Sequence, residues 1–248
     1  MTESHPARPD RPGPDRRSLL RAGLAVPACG VLGGLVFAEV AYAAALTQAQ
    51  RDAMTPDAVI AMMERGNLRF RRGVQQPRES LAEMRSSAKG QYPAAALLSC
   101  IDSRAPAERI MDLGIGDIFN ARIAGNIAND DILGSLEFAC KLAGAKVVVV
   151  MGHTACGAIK GAIDNAELGN LTGLLAKIRP AVAATDYSGL RSAKNLEFVD
   201  KVARKNVELT VAEIRARSPV LAELESKGSL KIVGAMYRLD TGVVDFYT

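Results

Sequence analysis

The stretch AKVVVVMGH, Ala145 to His153, constrains this chain more than any other. Four successive valines leave no polar face, and β-branched side chains suit an extended strand better than a helix. A strand of that kind is buried on both sides, which requires a sheet covered by helices above and below. AAALLSC, Ala94 to Cys100, is a second short apolar run without alternation and reads the same way. Helical patterns separate such runs. Thr55 is placed to cap a helix with Pro56 in its first turn and Val59, Met62 and Met63 at helical spacing. Further helices are expected over Leu81 to Ala88, over APAERIMDLG as far as Gly114, over NDDILGSLEFACKLAG as far as Gly144, from Thr154 onward, and from about Asn195 to Arg217. DIFNARI reads as another strand, DYSGL as part of a polar connector, and the C-terminal segment as two strands around a turn at Asp240 to Gly242. Strands alternating with helices give an α/β fold, a mainly parallel β-sheet flanked by helices.

The N-terminal forty or so residues follow a different pattern. A polar, Pro-rich start leads through DRRSLLRAG, with paired Arg16 and Arg17, into LAVPACGVLGGLVFA and then VAYAAA. A charged region, an apolar region and a small-residue cleavage site make up an export signal, with cleavage fitting best after Ala43. The twin arginine followed by Leu19 and Leu20 resembles a Tat-type signal, a route that passes folded proteins. The expected organisation is a signal peptide over residues 1–43 and one domain over residues 44–248, destined for the periplasm or otherwise exported. Contact with a membrane is expected only through this segment, if it stays uncleaved. Nucleic acid is not an expected partner, because the net charge of +4 is scattered among acids with no basic block and few aromatic residues.

Removing the signal takes Cys29 and His5 with it and leaves Cys100, Cys140, Cys156 and one histidine, His153. Three cysteines cannot all pair, so some thiol has another use. Cys100 ends one apolar strand; His153 and Cys156 follow the end of the other. Side chains at the carboxyl ends of parallel strands line the crevice where ligands bind. If the two strands are neighbours, two thiolates and an imidazole converge, leaving one tetrahedral position open, as in a catalytic zinc site. The blander alternative makes the cysteines small buried hydrophobes and His153 a satisfied turn residue. Asp102 and Arg104, two positions apart, can face the same side of an extended segment.

CIDSR, followed about fifty residues later by GHTACGA, resembles the signature of the β-class carbonic anhydrases, Cys-x-Asp-x-Arg and then His-x-x-Cys. The likeness runs from about Asn67 to the C-terminus and includes GDIFNARIAGNIAND. It implies one Zn2+ per subunit on Cys100, His153 and Cys156, and Asp102 with Arg104 as the catalytic pair. It also implies Gln91 and Phe119 lining the substrate pocket, with Ala124 and Gly157 at its edge. The implied reaction is hydration of CO2 to bicarbonate by zinc-bound hydroxide, in a homodimer or higher homo-oligomer with pocket residues near the subunit boundary. Many members carry Asn where this chain has Ile123, and the chain has no tryptophan for the accessory bicarbonate pocket that some members build. Two other functions remain open at this point: CS2 or COS hydrolysis on the same scaffold, and a non-catalytic zinc or thiol module.

Overall fold

The computed structural model describes residues 44–247. The expected export signal and its junction with the domain lie outside them. Five strands, β1 (Ala95–Ser99), β2 (Ile118–Arg122), β3 (Val147–His153), β4 (Lys231–Tyr237) and β5 (Val244–Tyr247), form one sheet in the order β2-β1-β3-β4-β5. The first four are parallel, and β5 returns antiparallel to β4 around the expected turn. The strands of Cys100 and His153 are neighbours, Ala95 pairing with Val147 and Ser99 with Met151.

Alternation along β1 and β3 divides the core. Ala96, Leu98, Val148 and Val150 point into one layer; Ala95, Leu97, Val147, Val149 and Met151 point into the other. The second layer is covered by α2 (Pro56–Arg72), through Val59 and Met63, and by the short α4 (Ala107–Ile110). The first is covered by α5 (Asp130–Glu137), α6 (Gly157–Ile163), α7 (Gly169–Ala184), α8 (Leu196–Arg217) and α9 (Pro219–Ser226). Burying each large aliphatic side chain contributes roughly 1.5–3 kcal/mol. Two small helices, α1 (Gln48–Asp52) and α3 (Ser80–Ser87), complete the N-terminal part. No helix among the described residues is long and apolar enough to cross a membrane.

The Thr55 cap forms as expected: its hydroxyl accepts the Ala58 N–H, Pro56 opens α2, and Gly73 closes it in a left-handed conformation. Within α2, Gly66 lies against backbone, since a Cβ there would stand 1.8 Å from Met111 O. Its neighbour Asn67 donates to Ile110 O and Gly242 O and accepts from Val244 N, tying α2 to α4 and to the C-terminal turn.

Four helices differ from expectation. The one expected to run to Gly114 is a single turn, because Asp112 enters the left-handed region at φ 49°. That expected as far as Gly144 changes after Glu137 into a π-helical turn, Phe138–Leu142, closed by Ala143 N to Phe138 O. The helix expected from Thr154 starts three residues later, with Cys156 as its N-cap. A separate helix, α7, precedes the polar connector.

Candidate metal centre

β1 is the strand at which the chain order reverses, with β2 on one side and β3 on the other. The carboxyl ends of β1 and β3 therefore open onto the crevice expected at such a switch point. Cys100 is the first residue past β1, His153 is the last residue of β3, and Cys156 caps α6. The three are buried, at 5%, 1% and 2% exposure, and their ligand atoms all lie within 4.8 Å of one another. The turn that makes this possible passes through Ala155 at φ 53°. It is anchored by Thr154 N on Tyr237 O (3.0 Å), Leu239 N on Thr154 Oγ1 (3.0 Å) and Ala155 N on Asp200 Oδ1 (2.8 Å).

His153 is set up as a ligand. Its Nδ1 lies 2.9 Å from the carbonyl oxygen of Thr154, which can only accept, so the proton sits on Nδ1 and the lone pair on Nε2. Nε2 is buried without a hydrogen-bond partner. An unsatisfied buried acceptor costs about 1–3 kcal/mol, which a bound cation would remove. Zinc fits the donor set: bonds of about 2.3 Å to sulfur and 2.0–2.1 Å to nitrogen put tetrahedral donors roughly 3.5–4 Å apart. Sulfur and imidazole also select zinc over magnesium or calcium.

The two thiols titrate as a pair, Cys100 disposed to the thiolate and Cys156 keeping its proton until a cation displaces it. The hydrogen bond from Cys156 lowers the Cys100 thiol far below its usual range against the effect of burial, with His153 and the Gly125 amide acting in the same direction. The same bond raises Cys156, as do burial and the Cys100 charge, while the amides of Ile159 and Ala158 at the start of α6 favour its thiolate. Burial opposes protonation of His153, but the neighbouring Cys100 outweighs it and raises its pKa. Metal binding requires these groups deprotonated and so releases protons.

Asp102 stands beside these three side chains, with Oδ2 3.7 Å from His153 Nε2. Arg104 Nε and its backbone N–H both donate to Oδ1 at 2.9 Å, and Nη2 donates to Oδ2 at 2.7 Å. That fork holds the Asp102 carboxyl well below the usual carboxylate range. Arg122 at the end of β2 closes the loop from outside, donating to Cys100 O at 2.9 Å and to Asp102 O at 2.5 Å.

Ala124 begins a 3₁₀ turn, Ala124–Asn126, whose next residue, Gly125, donates its N–H to Cys100 Sγ at 3.4 Å. Gly125 holds φ 68°, and the buried Asn206 of α8 donates to its carbonyl at 2.7 Å. Gly157 follows Cys156 directly, with open space where a Cβ would stand. Gln91 and Phe119 are not brought to the sulfurs within one chain. Gln91 lies in the loop before β1, at the opposite end of that strand from Cys100. Phe119 pairs with Ala96 and lines a groove of about 770 Å³ with Ile132, Leu136 and Phe138, its ring edge-on to Phe138. Arg122, Gly125, Asp200 and Asn206 were not found from the sequence, where only GDIFNARIAGNIAND, which contains the first two, carried any signal.

A parallel sheet whose switch point gathers two cysteines and a histidine, with no fourth His, Cys, Asp or Glu in the group among the described residues, has the protein-ligand count of an α/β protein of the catalytic-zinc type. Residues 95–244 match the family model described as carbonic anhydrase. Carbonic anhydrase 2 of Mycobacterium tuberculosis is 36% identical over 193 residues, spanning 75% of this chain and 90% of that protein. A β-carbonic anhydrase structure from Aspergillus fumigatus superposes with a TM-score of 0.60 at 30% identity, covering 66% of this chain and 79% of that one. One from Sordaria macrospora, described as tetrameric, gives 0.57 at 25% identity, covering 64% and 82%. The chain belongs to the carbonic anhydrase family, in its β class.

Proposed function

We propose that this protein catalyses the reversible hydration of CO2 to bicarbonate and a proton, with one zinc ion per subunit held by Cys100, His153 and Cys156. The observation that carries the reading is the buried, partnerless His153 Nε2 within 4.8 Å of both sulfurs. When bound, zinc lowers the pKa of a coordinated water from 15.7 to about 7 and so supplies a nucleophile at neutral pH.

The chain's residues do the rest. Two thiolates donate more charge than imidazoles would, which weakens a Lewis acid. The Gly125 N–H on Cys100 Sγ, with the amides at the start of α6 near Cys156, draws charge back from both sulfurs. Asp102, ionised by Arg104, can accept a hydrogen bond from the attacking oxygen at Oδ2 and so aim its lone pair at the carbon of CO2. Arg104 occupies both carboxylate oxygens and restrains them from taking the open ligand position. The proton released leaves to solvent. Zinc content and stopped-flow CO2 hydration of the wild type beside Cys156→Ser test the assignment. Stoichiometric zinc with rapid turnover, both lost in the variant, is the expected result.

Assembly and export belong to the same proposal. The resemblance assigns Gln91 and Phe119 to the substrate pocket, and one chain does not bring them to the sulfurs; with the second subunit supplying them, the working form is at least a dimer, which the tetrameric Sordaria relative supports. A fully active monomer in light scattering would refute it. Arg16, Arg17 and the apolar run before Ala43 support Tat-type export, and a mature protein beginning at Ala44 is the expected product on N-terminal sequencing.

A further inference from the structure

We propose that Asp200 of α8 is a positioning residue for the metal centre: by accepting the Ala155 N–H, its carboxylate holds the turn that returns Cys156 Sγ to the side of His153. The inference rests on the reading of Cys100, His153 and Cys156 as zinc ligands.

Ala155 is a non-glycine residue at φ 53°, a conformation costing of order 1–3 kcal/mol that persists only when its surroundings enforce it. The Ala155 amide falls between two hydrogen-bond systems. The sheet ends with Thr154 N on Tyr237 O, and α6 does not begin until Gly157. Asp200, 45 residues further along the chain, supplies the acceptor at 2.8 Å.

The support is rigid. Asp200 lies in the first part of α8, which Asn195 caps, and Val199, Val202 and Ala203 around it are buried in the core. The helix also runs close beneath β3, for a Cβ on Gly152 would stand 2.7 Å from Val207 Cγ2 and 3.6 Å from Ala203 O. One helix thus braces both ligand loops, Asn206 through Gly125 on the Cys100 side and Asp200 through Ala155 on the His153 and Cys156 side. Arg238, Lys160 and Asp240 are the charged groups facing Asp200. The contact needs only an acceptor oxygen, which an asparagine also provides.

The test is zinc affinity of the full chain, measured by competition with a chromophoric chelator, together with the thiolate-to-metal absorption of the cobalt-loaded protein. Asp200→Ala should bind zinc roughly 10- to 100-fold more weakly and shift the cobalt spectrum, whereas Asp200→Asn should stay within about threefold of wild type. Unchanged affinity in Asp200→Ala overturns the proposal. So does equal weakening in both variants, which would assign the effect to charge. A lower melting temperature of chelated Asp200→Ala with wild-type zinc affinity would make the residue structural only, and also overturns it. If the wild type takes up no zinc, or Cys156→Ser binds it equally well, the ligand assignment itself has failed. If the wild type binds, Cys156→Ser does not, and Asp200→Ala is unaffected, only the role of Asp200 falls.

Discussion

Asp102 gives both of its carboxylate oxygens to Arg104, Oδ1 to Nε at 2.9 Å and Oδ2 to Nη2 at 2.7 Å. The same carboxylate stands 3.7 Å from His153 Nε2, so in the proposed reaction the arginine restrains it from taking a place on the metal and leaves it as an acceptor beside it. Arg104→Ala should lower CO2 hydration by about 100-fold or more, the scale of a lost proton-handling group, while zinc content stays stoichiometric. Arg104→Lys should recover only part of the loss, because an ammonium cannot fork across two oxygens. Stopped-flow rates alongside metal analysis check this, and a variant that loses zinc and activity together would assign Arg104 to the fold instead.

Thiol reactivity should follow metal occupancy. In a Cys29→Ser background, a chromogenic disulfide should find none of Cys100, Cys140 and Cys156 reactive with zinc bound. Chelation should release Cys100 and Cys156. Cys140, whose thiol burial pushes up to about 12, should react only on unfolding. Equal labelling of all three sites before and after chelation would contradict a metal on the two sulfurs.

Cys140 also gives the protein an alkaline liability of known sign. Its raised pKa means the folded chain keeps a proton that the unfolded chain sheds above its ordinary value of 9.0. The contribution is therefore fully present below about pH 9 and declines as pH rises toward 12, by about 1.4 kcal/mol per pH unit. Cys140→Ala removes that component. Urea unfolding of the two proteins at about pH 8 and again at about pH 11 should show the variant's relative stability rising with pH, and parallel curves would reject the effect.

Two glycines should respond oppositely to alanine. At Gly66 the added methyl would meet the Met111 carbonyl at 1.8 Å, a backbone atom that cannot swing aside, so Gly66→Ala should cost about 3 kcal/mol or more. Gly173 in α7 has open space around its missing Cβ, and Gly173→Ala should stabilise by about 0.5–1 kcal/mol. Denaturant midpoints of the two variants settle the contrast.

Burial and chemistry that follow from side-chain type were legible in the sequence. The four valines of β3 and the apolar run of β1 announced a two-sided core, and the ligand residues stood at the ends of those runs. Thr55 with Pro56 marked a helix start because a cap acts on amides only two or three residues away. Helix α7 was less visible because Pro180 and two glycines interrupt its pattern, although Leu175, Ile178 and Ala181 bury its inner face.

Local composition determined where the strands would run and which side chains could bind a metal, since apolarity and donor type belong to each residue wherever it lies. Whether those donors would meet was decided by tertiary structure: by the β1–β3 register, by the left-handed turn at Ala155, and by the reach of Arg122, Asp200 and Asn206 from distant elements. Hydrogen bonds across 22, 45 and 81 positions leave no periodic trace, because their geometry exists only once the chain has folded around them.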